Sequence, residues 1–141
     1  MIRFDLVTLD GVKFGEEVYE IVLPTNDGYI AIFPNHMPLV SLASHGVISV
    51  RRKSGDDDSR LLHFATNGGV IEIGDKVVRV LVDEATNENE INEQEAQKAF
   101  EEAKKMAREA RDTVSLEHAQ ALVDRQATRL RVAELKRRKR R

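Results

Sequence analysis

The sequence predicts an all-β N-terminal sandwich, two antiparallel sheets of about ten strands, followed by a C-terminal antiparallel two-helix hairpin. Three observations carry this. Apolar residues up to Val82 come in short runs rich in β-branched and aromatic side chains. Turn-forming residues break those runs roughly every 8–12 residues. After Glu90 the apolar spacing changes to the three-and-four step of a helix surface. The division this suggests is 1–86 for the sandwich and 87–141 for the hairpin.

In chain order, Ile2, Phe4, Leu6 and Thr8 alternate with Arg3, Asp5 and Val7, as a half-buried strand requires. Val18 to Leu23 alternates again. Ile30–Phe33, Val47–Val50, Leu61–Ala65, Val70–Ile73 and Val77–Val82 follow, each of strand length. Asp10-Gly11, Asn26-Asp27-Gly28, His45-Gly46, Ser54-Gly55-Asp56, Asn67-Gly68-Gly69 and Gly74-Asp75 separate them as turns. No long helix intervenes, which argues against a parallel α/β sheet. Downstream, Asn92 is placed to cap a helix, with Glu95 completing a capping box. Ala96, Ala99, Phe100, Ala103, Ala107 and Ala110 form one stripe. Ser115 is placed to cap a second helix, whose stripe runs Leu116, Ala119, Leu122, Val123, Leu130 and Ala133. The link between the helices is short, so they fold back on each other. Alanine-lined faces bury little area, so this hairpin is expected to be able to undock from a stiffer body.

Composition excludes several function classes. Of 141 residues, 41 % are hydrophobic and 33 % charged, with a formal net charge of −2 that offers no overall attraction to nucleic acid. There is no cysteine, which removes thiolate chemistry and cysteine-based zinc sites. Met1 to Asp5 shows no secretory pattern, and no apolar run is long enough to span a bilayer. Membrane association is therefore expected only through a partner.

The stretch from Asn26 to Val40 reads Asn-Asp-Gly-Tyr-Ile-Ala-Ile-Phe-Pro-Asn-His-Met-Pro-Leu-Val. A glycine turn, a short strand and Pro-x-His-x-Pro-Leu resemble the signature of the epsilon family of F-type, proton-translocating ATP synthase subunits. His45-Gly46-Val47-Ile48-Ser49-Val50, then Asn67-Gly68-Gly69-Val70, and finally Leu130 to Leu135 continue the likeness in order. The resemblance implies a non-catalytic rotor subunit of the central stalk, needing no cofactor. Its partners would be the gamma subunit, the c-ring and the alpha/beta catalytic hexamer, with no nucleic acid. It would sit at the cytoplasmic face of a bacterial plasma membrane, held there through the complex. Its sandwich would couple c-ring rotation to the catalytic head, and its helices would inhibit ATP hydrolysis.

The resemblance also assigns candidate residues. Asp27, Tyr29, His36 and Met37 would contact the c-ring, although His36 between two prolines equally suits a histidine that fixes its own loop. Arg125, Arg129, Arg131, Lys136, Arg137 and Arg138 would meet the catalytic head when the helices extend. Lys136 to Arg141, all basic, also suit an anionic lipid or RNA, or a solvated helix end. Some members bind ATP through Ile-Asp-x-x-Arg on the first helix and two arginines four apart on the second. Here Ile91, Arg125 and Arg129 match, but Asn92 replaces the acid and Glu95 replaces the arginine, which predicts weak ATP binding or none.

The remaining motifs carry less. His45, His63 and His118 lack acidic partners at metal-ligand spacing, and His63 reads as a half-buried strand residue. Asn67-Gly68-Gly69 has no P-loop lysine and reads as a tight turn rather than a phosphate cradle. Gly55-Asp56-Asp57-Asp58 is too short for a calcium loop and reads as a charged hairpin tip. No paired nucleophile and base is visible. The rival reading is a stand-alone sandwich whose basic helix binds nucleic acid or an acidic protein.

Overall fold

A computed structural model of the chain describes residues 1–139. Eight strands precede two helices: β1 Ile2–Thr8, β2 Gly11–Val18, β3 Glu20–Thr25, β4 Gly28–Ile32, β5 Leu39–Arg51, β6 Leu62–Ile73, β7 Val77–Val82, β8 Ala85–Asn87, α1 Glu93–Glu109 and α2 Thr113–Lys139. Short 3-10 turns lie at Asp58–Arg60 and Glu88–Glu90.

The strands form one hydrogen-bonded sheet, ordered β2-β1-β7-β6-β5-β3-β4, with β8 pairing β6. Two long strands fold it into two layers. The first half of β5, Leu39 to Ala43, pairs with Ile73 to Gly69 of β6, and that half of β6 also pairs with β7. The second half of β5 pairs with Asn67 to Leu62, and there β6 also pairs with β8. Layer one is therefore β2-β1-β7 with the late half of β6 and the early half of β5. Layer two is β4-β3 with the other halves and β8. Between them Phe4, Leu6, Ile21, Leu23, Ile48, Phe64, Ile71 and Val78 are sealed from solvent. Phe14 joins them, its ring 5.7 Å from Phe4 and 5.9 Å from Phe64.

The sandwich followed by a helical pair agrees with the sequence reading, and the shared strands account for eight strands rather than ten. His45-Gly46 and Asn67-Gly68-Gly69 are not turns between strands but lie inside β5 and β6, where the layers meet. Gly68 has φ of 109°, open to glycine at low cost. A Cβ on Gly69 would stand 2.0 Å from the Leu81 carbonyl oxygen. The pairing of β1 with β7 is parallel, an exception to the antiparallel expectation.

Asn92 caps α1 as expected, its side chain accepting from the Glu95 backbone N–H at 3.0 Å. The reciprocal capping box, however, forms one motif earlier, between Asn87 and Glu90. Asp112, not Ser115, caps α2: its carboxylate accepts from the Ser115 N–H at 2.7 Å. These bonds hold the Asp112 carboxyl below its ordinary pKa. Ala96, Ala103 and Ala119 are buried along the helix pair.

Candidate functional site

Each layer turns one face to the core and one face outward, and the two outward faces differ. On layer one, strand register aligns five apolar residues in a single row. Leu42 pairs with Val70, Val70 with Leu81, Leu81 with Val7, and Val7 with Val12. Leu42 is 60 % exposed and Val12 67 %. The neighbouring row carries Glu72, Arg79 and Asp5 in register, so a charged border flanks the apolar one. Val40 heads that neighbouring row opposite Glu72, and Met37 is exposed in the loop after β4. A contiguous apolar row with a polar rim is the anatomy of a protein–protein contact. Single-strand patterning did not reveal it, because its members come from five strands.

The outer face of layer two is covered by the hairpin. Helix α2 lies across β5 and β6, with α1 packed on α2. Val132 is fully buried against Val47 and Ala65, with Ile91 and Leu135 partly buried beside them. Charged contacts surround this small apolar patch. Arg125 donates to Glu84 at 2.8 Å. Lys139 Nζ lies 2.8 Å from the Glu88 carboxylate, which is 3 % exposed, and also donates to the Leu61 carbonyl.

The candidate residues distribute as follows. Asp27 and Tyr29 lie at one end of β4, His36 and Met37 beyond the other, about 17 Å along a strand of that length. The structure thus does not gather the four together. The Tyr29 hydroxyl accepts from the Val47 N–H at 3.1 Å, and Tyr29 lines a hollow under α2 with Asp124 and Arg131. His36 is partly buried, its Nδ1 2.7 Å from the Met37 carbonyl oxygen, so it does brace its own loop. Asn35 beside it has φ of 70°.

Among the basic candidates, Arg131 and Arg138 both lie against Glu134, at 3.3 and 2.6 Å, and Arg137 pairs with Glu93 of α1. Lys136 is partly exposed on the same helical turn. Arg140 and Arg141 of the basic run lie outside the described residues.

The nucleotide candidates are split. Ile91 and Arg129 line one cavity of about 240 Å³ with Asn92, Glu95, Gln126 and Glu90. Arg125 is not in that cavity: it pairs with Glu84, lines a hollow with His45 and His118, and meets Arg129 in a smaller hollow beside Glu84 and Thr128. The volume of the Ile91 cavity lies below the ~300 Å³ of the smallest ordinary ligand clefts. The Glu90 and Glu95 carboxylates that line it would oppose a polyphosphate. His63 is fully buried rather than half-buried, with its ring Nδ1 2.9 Å from the Ser49 hydroxyl. Among the described residues, no group of three or more His, Cys, Asp or Glu is placed to hold a metal ion.

Comparison with known proteins gives the same picture. Residues 1–88 match the family model described as ATP synthase, Delta/Epsilon chain, beta-sandwich domain. The chain is 36 % identical over 119 residues to an ATP synthase epsilon chain of Xanthomonas campestris pv. campestris, covering 84 % of this chain and 82 % of that one. It is 31 % identical over 137 residues to the ATP synthase epsilon chain of Levilactobacillus brevis, covering 95 % of each. It is 34 % identical over 109 residues to the chloroplastic epsilon chain of Solanum lycopersicum, covering 77 % and 78 %. In fold it is similar to a chain of the Euglena gracilis mitochondrial ATP synthase OSCP/F1/c-ring assembly, with a TM-score of 0.80 at 23 % identity, covering 94 % of this chain and 81 % of that one. With its sandwich, its helical pair and relatives spanning most of its length, the chain belongs to the ATP synthase delta/epsilon family.

Proposed function

We propose that the chain acts as the epsilon-type subunit of the ATP synthase rotor stalk, carrying c-ring rotation to the catalytic head through the gamma subunit without catalysis of its own. Layer one grips gamma through the apolar row from Leu42 to Val12, and the loop holding His36 and Met37 rests on the c-ring. The sandwich, residues 1–86, is the rigid unit. The hairpin, 87–141, is the regulatory one, docked on layer two here and extending towards the alpha/beta hexamer to inhibit ATP hydrolysis. Arg125, Arg131, Arg137 and Arg138 then exchange their intrachain acids for acids of the head, and Arg129 and Lys136 join the same contact. No helix among the described residues is long and apolar enough to cross a membrane. In this reading the complex holds the chain peripherally, at the cytoplasmic face of a bacterial membrane.

The observation that carries this reading is the apolar cross-strand row. It is exposed in the isolated chain, bordered by charge, and set on the face opposite the hairpin. A free-standing nucleic-acid binder would instead present its basic helix, whereas here Arg125, Arg137 and Lys139 are engaged by Glu84, Glu93 and Glu88. Leu42→Asp with Val12→Asp tests it. Both positions are exposed, so the fold persists. Each buried aliphatic side chain contributes about 1.5–3 kcal/mol, so affinity for gamma in a titration should fall at least ~100-fold. Unchanged affinity would remove the row from the interface.

A further inference from the structure

The contact between α2 and layer two encloses a titratable ring that the proposed rotor and brake roles do not use. His63, on β6, is 4 % exposed. Its backbone N–H donates to the Glu88 carboxylate at 3.2 Å, and the same oxygen accepts from Lys139 Nζ at 2.8 Å. Charges face the ring from three sides. Glu88 comes from the turn after β8. Asp58 comes from the turn before β6 and is held by Arg51 at 2.8 Å. Lys139 and Arg131 come from α2, with Arg131 lying 3.3 Å from Glu134. Ser49 of β5 contributes only its hydroxyl.

The division of these charges matters. Both facing anions precede the helices and stay with the sandwich, while both facing cations belong to α2. Docking therefore brings the ring two positive neighbours and covers it at the same time. Burial first, then Lys139 and Arg131, push the His63 pKa below its ordinary value, against the opposing pull of Glu88 and Asp58. Departure of α2 would uncover the ring and leave it beside the two anions alone.

We propose that the docked hairpin is a proton-gated state, in which protonation of His63 drives α2 off the sandwich. This deepens the brake reading and rests on it, since it requires a hairpin that can leave. The sign follows from linkage: the docked form holds fewer protons on His63 than the released form. Docking is at full strength above the ordinary histidine value of about 6.5 and weakens as pH falls below it. One linked proton changes the ratio of docked to released chain by at most about tenfold per pH unit.

The chain has no cysteine, so Lys53→Cys with Lys105→Cys takes two dyes at exposed positions, one on the sandwich and one on α1. Energy transfer in the full chain should hold at about pH 7.5 and fall reversibly as pH drops below about 6.5 towards 5.5, with the docked-to-released ratio falling by up to about tenfold per unit. His63→Gln retains a polar partner for Ser49 but does not titrate, and its transfer should stay constant over that range. In the chain with His63 intact, the ring resonances of His63 followed by NMR should shift with the same midpoint as the transfer. A flat response with His63 present, an equal fall in His63→Gln, or midpoints that do not coincide would each overturn the gate. Detachment by high salt with no response to protons would also overturn it, while leaving a movable hairpin and the brake intact.

Discussion

At Gly69 a single hydrogen atom in place of a methyl group decides whether β7 can lie this close to β6. The Leu81 carbonyl oxygen occupies the space a Cβ would need. Gly69→Ala must push β7 away from β6, and should cost about 2–3 kcal/mol as read from the midpoint of urea unfolding. The glycine was visible in the sequence, but its use was not. Asn-Gly-Gly is equally good chemistry for a turn between strands and for a bend within one, and only the pairing of Ala43 with Gly69 separates the two. The alternation of Ile2, Phe4 and Leu6 was legible because its consequence is local. His63 was legible as a strand residue, but neither its burial nor the charges of Lys139 and Arg131, which α2 brings near it from some seventy positions downstream, could be read there.

The helices show the same limit at larger size. Asn-x-x-Glu occurs at 87–90 and again at 92–95, and both copies are chemically able to form a capping box. The first is used, because the chain turns there from β8 before α1 begins. Asp112 and Ser115 compete in the same way for α2, and the carboxylate wins the backbone N–H. The two-helix pattern and its alanine lining were readable from spacing. The pose was not, since α2 docks through an apolar contact as small as Val132 on Val47 and Ala65. That smallness is testable. Val132→Ala removes about 1.5–3 kcal/mol of burial. Amide exchange in α2 should then accelerate at least tenfold while β5 and β6 keep their protection, because the hairpin opens as its own unit. Equal acceleration in the strands would mean that hairpin and sandwich unfold together.

For the whole molecule, the two outer faces differ: one exposes the apolar row proposed to meet gamma, and the other is covered by the chain's own helices. A chain ending before Asn92, added to a gamma-containing catalytic complex, should raise its ATPase rate above that with the full chain while still binding gamma. Equal rates would remove the brake and leave the stalk role. The sandwich architecture and its family were legible because short runs and ordered motifs survive in one dimension. The apolar row was not, since register alone brings Leu42, Val70, Leu81, Val7 and Val12 into line. Where two sheets are held together by side-chain packing alone, sliding one over the other disturbs van der Waals contacts first. Here β5 and β6 belong to both layers along unbroken backbone. Shear between the layer with the apolar row and the hairpin-bearing layer must therefore strain covalent chain and break ladder hydrogen bonds before anything slips. Torsional load entering on one side is delivered to the other with little backlash.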